Sequence, residues 1–127
     1  MKKCVPYLLL TFFLLSAAAN AQTPVPNRAG YEADLMKLSE TLGALHYLRP
    51  LCGGSEQGQW RTEMQTLIDA AELPADKRAL LVTSFNRGYL AHERAYRTCT
   101  PAARLVADRF LEMGTRLSRE IVQRYRN

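Results

Sequence analysis

His46 and His92 are the only imidazoles in the chain. Any metal or haem chemistry would fall to them, and two ligands are short of the three or four convergent donors that zinc normally takes. No Cys-x-x-Cys-His stretch offers covalent haem attachment. Both histidines are expected at the core margin, bonded to tyrosine or backbone groups. They are the only metal candidates, and no cofactor is expected. Glycoside cleavage needs two placed carboxylates, but Glu40, Glu56, Glu63 and Glu93 fall on different helix faces. Ser39, Ser55 and Ser84 lack the strand-to-helix turn that exposes a nucleophilic serine. These residues predict a protein without catalytic machinery.

Binding chemistry is better supplied. In the run Asn86-Arg87-Gly88-Tyr89, a glycine sits inside a helical pattern, where it costs up to ~1 kcal/mol relative to alanine. Something must offset that cost. Close helix packing against Trp60 or Tyr47 would do so, and so would a recognition notch. Arg49 and Arg87 offer forked donors suited to a carboxylate. Tyr47, Tyr89 and Trp60 offer flat contacts of the kind enriched at binding hot spots. With His46, Tyr96 and Arg97, these residues form the candidate binding set. The anionic partners they suit are peptidoglycan stem peptides or an acidic face of an envelope protein.

The elements that must position this set begin with an export signal. Met1-Lys2-Lys3 gives a positive start, an apolar run follows from Val5 to Ala18, and Ala19-Asn20-Ala21 matches a small-x-small cleavage site. Residues 1–21 are therefore read as a signal peptide cleaved after Ala21, with a periplasmic destination. The run is shorter than the ~20 residues of a membrane-spanning helix, so no stable membrane insertion of the mature chain is expected. Removing 21 residues from 127 leaves 106, enough for one small domain. The full chain carries 17 Lys+Arg and 12 Asp+Glu. Losing Lys2 and Lys3 leaves 15 against 12, a net +3. That mild excess does not call for nucleic acid, which is also the wrong partner for an exported protein.

Residues 22–30, with Pro24 and Pro26, read as a flexible lead, and residues 31–127 as a helical domain. Tyr31, Leu35, Leu38, Leu42 and Leu45 recur at helical spacing until Pro50 and Gly53-Gly54. Trp60, Met64, Leu67 and Ala71 repeat the pattern up to Pro74, and Leu81, Phe85, Tyr89, His92 and Tyr96 repeat it again. Thr100-Pro101 is an N-cap followed by proline at the first helical position. Val106, Phe110, Met113, Leu117 and Ile121 follow on one face, with Asp108, Glu112, Arg116, Glu120 and Arg124 spaced for pairing on the other. No segment alternates with period two. The pattern predicts an all-α, up-down four-helix bundle.

With the signal removed, Cys52 and Cys99 remain, and an even pair in an exported chain reads as a disulfide. In an up-down bundle the first and third connections lie at the same end. A Cys52–Cys99 bond would strap that end, where the Tyr47 and Tyr96 regions would meet. The chain-entropy model values such a loop at roughly 4 kcal/mol.

Several stretches also resemble a known family. Leu42-Gly43-Ala44-Leu45-His46-Tyr47-Leu48-Arg49, Leu51-Cys52-Gly53 and Trp60-Arg61 lie in the first half. Phe85-Asn86-Arg87-Gly88-Tyr89 and Cys99-Thr100-Pro101-Ala102-Ala103 lie in the second. They are similar to the small exported alphaproteobacterial proteins classed as domain of unknown function family 2385. The resemblance runs over roughly residues 40 to 125. It implies export and the disulfide, and it supplies no mechanism.

Overall fold

The computed structural model describes residues 27–126, and the expected signal peptide and most of the lead lie outside them. Four helices follow in order: α1 Arg28–Leu51, α2 Gln59–Ala71, α3 Ala75–Ala95 and α4 Pro101–Tyr125. No strand occurs among the described residues, so the all-α expectation holds. α1 starts three residues before Tyr31 because Asn27, with a left-handed backbone, caps it through its side-chain oxygen to the Gly30 N–H at 3.0 Å. Its end falls where proline and glycine predicted: Gly54 N–H donates to the Arg49 carbonyl at 2.8 Å, and Gly53 turns the chain at φ 81°. α4 opens on Thr100, whose hydroxyl accepts from the Ala103 N–H at 3.0 Å, with Pro101 next.

α1 is the hub. α2, α3 and α4 each pack against it, α3 most extensively, whereas α4 makes no close backbone approach to α2 or α3. The sequence explains this through the polar residues it keeps small. Ser39 and Thr41, both buried in α1, donate to the carbonyls of Leu35 and Lys37 at 2.8 Å each, so neither hydroxyl is left unpaired. A helix satisfied in this way can be covered on nearly every side.

The core divides in two. One cluster joins Leu35, Leu38, Leu42 and Leu45 of α1 to Trp60 and Met64, Leu73, Leu81 and Phe85, and Ile121. The other, at the opposite end, holds Ala44, Leu48, Ala103 and Ala107, with Tyr47, Cys52 and Tyr96 against it. The Cys52–Cys99 disulfide closes this second end, its Cα atoms 4.9 Å apart. At the far end Arg124 and Tyr125 both donate to Asp34, at 2.7 and 3.0 Å.

Two details of α4 differ from expectation. Ile121 is buried as expected, but Met113 is 36% exposed, and the other fully inward positions go to Ala103, Ala107 and Gly114. Small residues there let α4 lie close on α1, as Gly114 shows: a Cβ at that position would stand 3.3 Å from Thr41 Cγ2. The expected charge ladder does not pair within α4. Arg124 pairs across to Asp34 of α1, which also accepts from the Tyr125 hydroxyl.

Candidate functional site

The residues singled out for binding come together in part. α1 and α3 cross with their backbones nearly touching: a Cβ on Gly88 would lie 2.0 Å from the Glu40 carbonyl oxygen, and one on Gly43 would lie 1.9 Å from that of Phe85. The glycine in Asn86-Arg87-Gly88-Tyr89 is thus spent on packing, as one of the two expectations held. Its contact is with α1 backbone at Glu40 and Ala44 rather than with Trp60 or Tyr47. Because the crossing is so close, Tyr89, next to Gly88, reaches two successive side chains of α1. Its ring centroid lies 5.6 Å from His46 and 5.3 Å from Tyr47, edge to face with the latter. Phe85 backs His46 at 5.5 Å. His46, Tyr47 and Tyr89 are all half-buried and form a continuous aromatic ledge.

The strapped end holds the ledge in place. Tyr47 hydroxyl donates to the Tyr96 carbonyl, tying α1 to the chain just before Cys99. Tyr96 itself caps α3, its N–H on the His92 carbonyl at 2.9 Å.

The cations separate into engaged and free groups. Arg49 gives both forks to Glu56, Nε at 3.1 Å, and that bond holds the Glu56 carboxyl below its usual range. Arg87 gives both forks to one Glu40 oxygen, at 3.2 and 2.8 Å, in an exposed pair. Arg61 and Arg97 are exposed and form no ion pair within 4.0 Å among the described residues, and Asn86 is exposed on α3. Trp60 is only 8% exposed and belongs to the core.

The histidines lie in different settings. His92 places Nδ1 2.8 Å from the Gly88 carbonyl, which makes that nitrogen the donor, and its ring meets Phe110 edge-on at 4.8 Å. That is the core-margin role expected of it. His46 departs from the expectation: its Nδ1 is shielded from solvent and has no hydrogen-bond partner. Burial, and then the Arg61 charge, hold its imidazole below the usual range, which favours the neutral form. Among the described residues no three His, Cys, Asp or Glu side chains converge as metal ligands.

A second surface escaped the sequence reading. Since α2 and α4 stand apart, a groove of about 400 Å³ runs between them over Leu38, Leu42 and Leu45. Gln59, Glu63 and Thr66 form one wall, and Leu111, Thr115 and Ser118 the other, with Gly114 below. The legible signal was the 4-3-4 run Leu111, Thr115, Ser118, Val122, an uncharged strip along one face of α4.

No curated protein and no solved structure matches the chain. One family model does, over residues 30–125, which takes in nearly all of the four helices. The chain belongs to the family described as protein of unknown function (DUF2385).

Proposed function

We propose that this protein is an exported, non-enzymatic accessory protein of the cell envelope that acts by binding, with an envelope protein or peptidoglycan as its partner. The observation that supports this reading is the aromatic ledge of His46, Tyr47 and Tyr89, part-covered and held by the disulfide-strapped end. Rigid aromatic side chains lose little freedom on binding and supply large contact area. The free guanidinium groups of Arg61 and Arg97 suit a partner bearing carboxylates. A structural disulfide fits an oxidising compartment such as the periplasm, and no described helix is long and apolar enough to cross a membrane. The test is capture from envelope extracts and from peptidoglycan sacculi, with Tyr89→Ala as the matched variant. A partner retained by the parent and lost by Tyr89→Ala, with circular dichroism showing the variant still folded, is the expected result. Equal retention by both would move the site elsewhere.

The unpartnered His46 Nδ1 favours one further reading, a small-molecule, metal or haem site at the ledge. Metal analysis and an absorption spectrum of the purified protein separate the two. A stoichiometric metal or a Soret band that His46→Gln removes would establish this second reading, and a featureless, metal-free sample would end it.

A further inference from the structure

We propose that the groove between α2 and α4 is the contact face of a symmetric homodimer, in which each copy seats its α4 ridge in the other's groove. A twofold interface uses the same patch on both copies, so the patch must fit itself. Here the concave and convex halves lie side by side. The groove floor is Leu38, Leu42 and Leu45. Next to it α4 raises Leu111, 37% exposed, and Val122, 60% exposed, the most open large apolar side chain among the described residues. Both lie on one flank of α4 with Thr115 and Ser118 between them, by the 4-3-4 spacing of a single helix face. Those small side chains allow a second helix to approach closely.

The charges agree with this arrangement. α4 runs opposite to α1, since Tyr125 meets Asp34 and Gly114 meets Thr41. A dyad close to Thr115 lays the two α4 helices antiparallel and brings the partner's Arg119 to the level of Leu111. Glu63 lines the facing wall of the same groove. Neither Glu63 nor Arg119 has an ion-pair partner within 4.0 Å among the described residues. The twofold axis forms this opposite-charge pair twice, which favours this register over slipped alternatives. This surface is separate from the aromatic ledge, so the two proposals stand or fall independently.

Sedimentation equilibrium of the mature chain, from Gln22, tests the dimer over micromolar to submillimolar concentrations. A reversible monomer–dimer equilibrium is expected. Thr115→Arg, at an exposed position on the ridge, should weaken it by roughly tenfold or more. Glu63→Arg should weaken it as well, and adding Arg119→Glu should restore it. Circular dichroism melting confirms that each variant is folded. A chain monomeric throughout the range overturns the proposal. So does a dimer indifferent to Thr115→Arg and to the Glu63/Arg119 exchange, or a groove that cross-links only to a different envelope protein.

Discussion

The two sides of α1 are built on opposite plans. Toward α3 it brings Gly43 and meets Gly88, and the two backbones close to the point where no Cβ fits on either glycine. Toward α2 and α4 it presents Leu38, Leu42 and Leu45, and the neighbours stand off far enough to leave a groove. Both sides contain a buried helical glycine, so glycine alone does not decide closure. A Cβ at Gly88 would meet backbone, 2.0 Å from the Glu40 carbonyl oxygen, whereas one at Gly114 would meet the Thr41 methyl at 3.3 Å and the end of Leu45 at 3.9 Å. A seam closes when small residues on both helices meet at one level. Where a small residue meets side-chain ends instead of backbone, the helices pack without closing to backbone contact.

The largest expected effect lies at the strapped end of the closed side. Replacing both Cys52 and Cys99 by serine should lower unfolding free energy by roughly 4 kcal/mol in the chain-entropy account, read by thermal or denaturant melts. An unchanged melting temperature would mean that the glycine seam holds that end unaided. Next come the two glycines as a matched pair. Alanine brings each up to ~1 kcal/mol of helix propensity. At Gly88 it must also push α1 and α3 apart, at a cost of about 3 kcal/mol or more. Gly114→Ala should remain within about 1 kcal/mol of the parent, because the groups it meets are side-chain ends. Equal losses at the two sites would erase the distinction between closed and open sides.

A smaller effect depends on pH. Because folding lowers the His46 pKa, the unfolded chain takes up the proton more readily as pH falls through ~6.5. Stability is therefore fully present above that value, and falls as pH drops below it until the folded pKa is passed. His46→Gln should flatten this dependence in pH-resolved melts. The smallest effect is Arg87→Ala. Its pair with Glu40 has both side chains well exposed, and such pairs contribute less than about 1 kcal/mol.

Much of the frame was legible in the residues. Periodicity located four helices, Thr100-Pro101 and Pro50 with Gly53-Gly54 marked boundaries, and the cysteine pair anticipated the strap. Less legible was which helix would be central. Ser39, Thr41, Gly43 and Ala44 interrupt the leucine stripe of α1, and the burial of Ser39 and Thr41 depends on hydroxyl bonds to the helix's own carbonyls. A stripe of large apolar residues cannot signal this. Met113 was placed inward for the same reason, since hydrophobicity outweighed the small Gly114 beside it. The candidate site was legible in composition but not in allegiance. Arg49 found a carboxylate seven residues on and Arg87 one on another helix, whereas His46, Tyr47 and Tyr89 met because two glycines let the helices close.

The central position of α1 also bears on how the chain reaches its fold. It is made first, yet nearly all that covers it comes later: α3 seals the glycine seam, and α4 brings Ala103, Ala107 and Ile121. During synthesis α1 and α2 have little to lean on, and α1 carries apolar surface on several sides at once. The nascent chain therefore passes through a stage that is sticky and protease-sensitive. A fragment ending before α3 should fail to fold, and premature termination there would leave a substrate for quality control rather than a smaller working domain.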